Sequence, residues 1–159
     1  MKKIKVVELF AGVGGFRLGL EKSNFEVVWS NQWEPMTKIQ HASDVYTYQF
    51  GHKGHSNEDI NTVKTKDIPD HDMLVGGFPC QDVAGPNHKR QGMAGKRSSL
   101  VHELLRIVSE CDAKWIFLEN VNAFATNGYP ELKVTMENMG YEVRHIQCSA
   151  MEAGLRHRR

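Results

Sequence analysis

Short β-branched apolar runs, each stopped by glycine or a polar pair and followed by a helix-like segment, leave this chain few ways to fold. The first, Ile4 to Phe10 (IKVVELF), runs into Gly12, Gly14 and Gly15, which predicts a buried parallel strand entering a turn. Phe16 to Lys22 then reads as a helix and Phe25 to Trp29 as a second strand. Pro35 suits a helix start, and the helix continues to about Phe50. The polar stretch from Gly51 to Asn61 predicts a loop, and Met73 to Val75 a short strand ending at Gly76-Gly77. Residues 79–97 are polar, basic and without periodicity, and loops of that length inside compact domains are usually functional or mobile. Ser98 or Ser99 can cap the next helix, whose Leu100, Leu104, Ile107 and Val108 share a face. Trp115 to Leu118 is a further strand, Pro130 to Met139 a helix ended by Gly140, and Tyr141 to Cys148 a last strand. Strand alternating with helix throughout predicts an open, mostly parallel α/β sheet. Ligands of such sheets bind at the carboxyl ends of the strands. Gly12, Trp33, Pro79-Cys80 and Glu119 all fall there.

A length of 159 residues suits one domain with a real core. The 20 basic and 19 acidic residues nearly cancel, so contact with nucleic acid must come from local clusters and not from overall charge. Cys80, Cys111 and Cys148 are too widely spaced for a metal knuckle or a redox pair, and no metal is expected. No apolar run is long enough for a signal peptide or a membrane span. The expectation is a soluble, cytoplasmic protein with reduced cysteines.

The turn in ELFAGVGGF (8–16) lets backbone approach a ligand closely, or it is simply a tight strand-to-helix connection. It lacks both the Gly-x-Gly-x-x-Gly spacing of dinucleotide folds and the Lys-Ser/Thr of a phosphate loop. Trp33 either stacks on a base or caps the sheet edge, and Asp59 either accepts from an exocyclic amine or caps a turn. Cys80, at the tip of the Gly-Gly-Phe-Pro loop, is better placed to react than a cysteine inside an apolar run such as Cys148. Glu119 closes the apolar run WIFL. A carboxylate at the end of a central strand is poorly solvated and suited to hold a proton as a general acid; the alternative is a helix cap.

Taken in order, ELFAGVGGF, the Trp33 segment, the EDI at 58–60, GGFPCQ, the GKRSSL at 95–100, FLENV (117–121) and SAMEAGLRHRR (149–159) resemble the first eight conserved motifs of cytosine-5 DNA methyltransferases. The resemblance covers essentially the whole chain and implies a Rossmann-like, class I S-adenosylmethionine-dependent methyltransferase fold over residues 1–159. It implies that Cys80 adds to carbon 6 of a flipped cytosine while Glu119 protonates or hydrogen-bonds ring nitrogen 3. Carbon 5 then becomes nucleophilic enough to take the methyl group of S-adenosylmethionine, after which a proton and Cys80 leave. By the same matching, Phe10, Ala11, Gly12, Gly14, Gly15, Ile60 and Pro79 line the cofactor pocket. Trp33 stacks on the adenine, Asp59 holds its amine, Gln32 faces the ribose and Leu100 borders the methionine portion. Arg159 helps hold the cytosine, Gln81 and Asn120 belong to the substrate side, and Lys89, Arg90, Lys96 and Arg97 suit phosphate contacts in a closing loop.

Two positions depart from the family pattern. Gln32 stands where a glutamate usually receives the ribose hydroxyls, with Glu34 the next carboxylate along, and Ala84 stands where many members carry a serine. The matched motifs also stop before the target-recognition region and the final helix. The expectation is therefore a catalytic portion of a bacterial modification enzyme acting on double-stranded DNA and incomplete at its carboxyl end, either one subunit of a split enzyme with a complementing chain or a truncated product. The alternatives are an RNA cytosine-5 methyltransferase, a catalytically silent subunit, and, from another class, a nicotinamide oxidoreductase.

Overall fold

The computed structural model describes residues 2–79, 99–152 and 154. Its centre is a five-stranded, wholly parallel sheet. β1 (Ile4–Leu9), β2 (Phe25–Asn31), β3 (His55–Ser56), β4 (Met73–Gly77) and β5 (Trp115–Glu119) lie in the spatial order β3-β2-β1-β4-β5. The helices are α1 (Gly15–Leu20), α2 (His41–Phe50), α3 (Ser99–Cys111), α4 (Phe124–Asn127) and α5 (Tyr129–Asn138). The chain moves outward from β1 to β3, then returns to place β4 on the other side of β1. The crevice between the carboxyl ends of β1 and β4 is thus the switch point at which open α/β sheets bind ligands.

Alternation along β1 decides which face each residue serves. Val7 and Leu9 enter the larger core with Leu74, Leu104, Ile107, Val108 and Leu132, so α3 and α5 cover that face. Val6 packs with Val27 and Val75 against Phe16 and Leu20 of α1 on the other face. The β1–β2 register slips once between Val6 and Val7, after which Glu8 lies opposite Ser30 and Leu9 opposite Asn31. A single inserted residue exchanges the faces of everything beyond it. Gly54 fits beside the slip at φ 71°, and a Cβ there would stand 2.5 Å from the Val28 carbonyl oxygen.

Four sequence expectations need correction. The helix expected from Pro35 begins only at His41. Gln40 folds back instead, accepting from the Glu34 amide and donating to the Glu34 and Thr37 carbonyls, while the Glu34 carboxylate accepts from the Ala42 amide. The second strand runs on to Asn31, because the polar Ser30 and Asn31 find partners in the interior. Within the segment expected to be loop, His55–Ser56 pairs with β2. The last strand, Tyr141 to Cys148, does not form a ladder among the described residues. Tyr141 and Val143 pack on the core and the Tyr141 hydroxyl donates to the Ala113 carbonyl, but Ile146 is 79% exposed and Cys148 is exposed. Alternation supplies a face, not a partner strand.

Candidate active site

β1 ends in a backbone bend that few residues tolerate. Phe10 has φ 55°, Gly12 φ 56° and Gly14 φ 92°. The left-handed region costs glycine little and costs phenylalanine strain, so the bend must be held from outside. Three hydrogen bonds hold it. The Ala11 amide donates to the Asn31 carbonyl at 3.0 Å, the Gly14 amide to the Ala11 carbonyl at 2.9 Å, and the Gly12 amide to the Gln32 side-chain oxygen at 2.8 Å. A Cβ on Gly12 or Gly15 would meet nothing within 4 Å, so the space above the turn is open to a ligand. A Cβ on Gly14 would stand 2.3 Å from the Phe50 ring, so that glycine seats α1 against α2.

The chain after β2 brings Gln32 and Trp33 to the same end of the sheet. Trp33 is 37% exposed, which leaves much of the indole available to a ligand. Gln32 is tied to the glycine turn, and Glu34 is engaged by the first turn of α2 and does not replace it. Beyond β3, Asp59 turns the chain. Its Oδ1 accepts from the Asn61 amide at 3.0 Å and the Asn61 side chain at 2.6 Å, which leaves Oδ2 outside that turn. Ile60 is a core residue at 2% exposure. It holds the loop down against the core.

On the far side of the switch point, β4 delivers Phe78 and Pro79. The Asn120 side chain donates to the Phe78 carbonyl at 3.0 Å and accepts from the Val121 amide at 2.8 Å. It therefore pins the strand end that leads into Pro79. Glu119 Oε2 lies 3.1 Å from the position of a Cβ on Gly77, so a side chain there would make the carboxylate shift by a few tenths of an ångström. Glu119 itself is exposed, and β5 is an edge strand among the described residues, not a central one. The poorly solvated carboxylate expected from the sequence is not what the fold presents. Leu100, half-buried in the first turn of α3, packs against the larger core. Cys80, Gln81, Lys89, Arg90, Lys96, Arg97 and Arg159, together with Ala84, lie outside the described residues.

Sequence reasoning missed a buried polar cluster on the α1–α2 side. Glu8 is fully buried, and the Tyr46 hydroxyl donates to its Oε2 at 3.0 Å while Oε1 has no hydrogen-bond partner. Burial raises the Glu8 pKa to about 7, against the lowering effects of the Tyr46 hydrogen bond and Arg17. Burial and the neighbouring Glu8 charge push Tyr46 up to about 12. Arg17 lies 4.6 Å from the Phe50 ring centroid, and its guanidinium donates to the Tyr46 hydroxyl at 3.4 Å. His55 stacks on Tyr46 at 4.6 Å between the hydroxyls of Ser30 and Ser43, each 2.8 Å from a ring nitrogen. Burial first, then His52 and Arg17, lowers its pKa and so favours the neutral ring. The one signal available in the sequence was the glutamate inside IKVVELF. Among the described residues no group of His, Cys, Asp and Glu is arranged to hold a metal ion, and no helix is long and apolar enough to cross a membrane.

Comparison with known proteins gives one answer by sequence and a compatible one by shape. The family described as C-5 cytosine-specific DNA methylase matches residues 4–159. The Type II methyltransferase M.Sau3AI of Staphylococcus aureus is 41% identical over 100% of this chain and 42% of its own length. M.HhaI of Haemophilus parahaemolyticus is 38% identical over 98% of this chain and 46% of its own length. The chain thus spans less than half the length of these relatives. Among solved structures, an Entamoeba histolytica methyltransferase superposes with a TM-score of 0.75 at 23% identity, covering 97% of this chain and 49% of that one. The Schizosaccharomyces pombe Dnmt2 methyltransferase, at 0.64 and 22% identity, covers 86% of this chain and 41% of its own. At those identities the likeness speaks for the fold alone, and it agrees with the Rossmann-like methyltransferase fold expected from the sequence.

Proposed function

The chain belongs to the C-5 cytosine-specific DNA methylase family, and on that premise we propose that it is the catalytic portion of a bacterial DNA cytosine-5 methyltransferase of a modification system. The observation that carries the reading is that β4 and β5 pair side by side with Gly77 opposite Glu119, so that the strand end leading to Phe78 and Pro79 lies beside the Glu119-Asn120 pair. Asn120 pins the backbone before Pro79-Cys80, and Glu119 lies over Gly77 one strand away. A carboxylic acid on β5 beside the strand end that in sequence leads to a cysteine suits addition across a pyrimidine 5,6 double bond. In this reading Cys80 adds to carbon 6 and Glu119 supports the ring nitrogen that takes up negative charge. The base has to leave the duplex stack for either group to reach it.

The residues around the glycine turn fit S-adenosylmethionine, which when bound supplies the methyl group. Open space above Gly12 and Gly15 admits it, Trp33 offers a stacking face, and Asp59 keeps one carboxylate oxygen for an amine. Gln32, whose oxygen already accepts from the Gly12 amide, keeps its NH₂ and one further lone pair to offer the ribose hydroxyls. Phe10, Ala11, Pro79 and Leu100 complete the lining. Beyond the described residues, Gln81, Lys89, Arg90, Lys96, Arg97 and Arg159 are assigned to the DNA side. The family description names DNA, which disfavours the RNA alternative.

Duplex DNA carrying 5-fluorocytosine tests the reading directly, because fluorine cannot leave as the proton does and the enzyme stays bonded to carbon 6. Incubation with S-adenosylmethionine is expected to give a covalent adduct that Cys80→Ser abolishes. The adduct forms with the chain alone or after addition of a polypeptide carrying the remaining half of a relative such as M.Sau3AI. Absence of the adduct under both conditions would count decisively against catalysis and in favour of a silent subunit.

A further inference from the structure

Asn31 ends β2 with a side chain that is 1% exposed and plays no part in the chemistry outlined above. Its Nδ2 donates to the Glu58 carbonyl at 2.9 Å and to the Ser56 carbonyl at 3.4 Å. Its own main-chain carbonyl accepts from the Ala11 amide at 3.0 Å. One buried residue therefore ties the glycine turn after β1, through its main chain, to the segment that carries Asp59, through its side chain, and the next two residues of its own strand exit are Gln32 and Trp33. From α3, Arg106 Nη2 donates to the Ile60 and Val63 carbonyls at 3.3 and 3.0 Å. The 56–63 segment is thus clamped on both flanks, with Asn31 as the clamp on the strand side.

We propose that Asn31 is a positioning residue for the base subsite, holding Asp59 level with Trp33 so that the carboxylate meets the exocyclic amine of a purine stacked on the indole. This rests on the reading of the crevice as an S-adenosyl site. Asp59 Oδ1 is locked to Asn61, so the carboxylate moves with its own backbone and a displacement at Glu58 passes to Oδ2. Hydrogen bonds weaken steeply outside a few tenths of an ångström and a few tens of degrees. Aspartate at position 31 would turn a carboxylate towards two carbonyl oxygens, and serine would fall short of both.

The test is the affinity ratio between S-adenosylhomocysteine and its inosine counterpart, which has an oxygen in place of the amine, measured by titration calorimetry. The unaltered chain is expected to prefer the amine by about tenfold or more, the scale of a hydrogen bond to a charged group. Asp59→Ala should bring the ratio close to one. Asn31→Asp and Asn31→Ser should each lower it by about threefold or more, and Asn31→Asp added to Asp59→Ala should lower it no further. Unfolded protein binds neither ligand, so a partly unfolded variant loses both affinities equally and its ratio still reports on the site. If Asp59→Ala collapses the ratio while both Asn31 variants keep it, the proposal is overturned and the base subsite stands. If Asp59→Ala leaves the ratio unchanged, or neither ligand binds, the subsite reading falls and takes the proposal with it.

Discussion

Glu8 is a carboxyl group in the middle of a strand, fully buried beside one hydroxyl donor and with its second oxygen unpartnered. Its pKa of about 7, against 4.5 for an unperturbed glutamate, means that between those values only the folded state holds the proton. Stability is then greatest at the acid end of that window, falls as pH rises through it, and levels off above it, a change on the order of 3 kcal/mol. Melting temperatures taken from pH 5 to 8 should show this decline in the native chain, and Glu8→Gln should remove it. An unchanged slope in Glu8→Gln would assign the titration to another group. Tyr46→Phe, which leaves both Glu8 oxygens unpartnered, should cost about 1–3 kcal/mol. Individual residues were unevenly legible in the sequence. Glycine clusters, Trp33 and the Glu119-Asn120 pair announce themselves through position after an apolar run. Glu8, Asn31, Tyr46 and His55 do not, because what makes a buried polar side chain tolerable is a partner tens of residues away.

Each secondary-structure element reflects the same division between local and distant causes. Strands such as Met73–Gly77 and Trp115–Glu119 are legible because a short apolar run stopped by glycine or a polar pair is written into their composition. The start of α2 was misplaced because Gln40 and Glu34, both acceptable inside a helix, instead satisfy backbone groups outside it. α1 is only six residues long and has no side-chain cap, so it depends on how closely it seats against α2. Gly14 makes that contact possible. Gly14→Ala combines a left-handed φ of 92° with a collision at Phe50, and should destabilise the fold by about 2–4 kcal/mol. Chemical denaturation would reveal it as a lower midpoint at unchanged slope. Gly12→Ala is also strained at φ 56° but meets no atom, so its cost should be the smaller of the two.

At the scale of the whole molecule, the sheet is covered unevenly. α3 and α5 blanket one face, whereas on the other α1 and α2 serve the β1–β2 half and leave Trp115 67% and Phe117 51% exposed among the described residues. Apolar side chains on an edge strand favour pairing with other copies. Trp115→Lys should therefore lower self-association in sedimentation velocity while changing the melting temperature little, since the indole contributes little to the buried core. The fold class was readable because alternation of strand and helix admits few arrangements. Which strand ends up at an edge was not, since that depends on pairing, and the exposure of Glu119 follows from it.

The glycine turn bears on which cellular nucleotides compete for the crevice. Turns of this outline commonly leave their amides free and attract phosphate through them. Here the amides of Ala11, Gly12 and Gly14 already have acceptors within the protein. A phosphate seated on those three amides would have to displace Gln32 or break the turn. If the crevice is the proposed S-adenosylmethionine site, phosphorylated adenosines gain nothing from those three amides and are expected to be poor inhibitors.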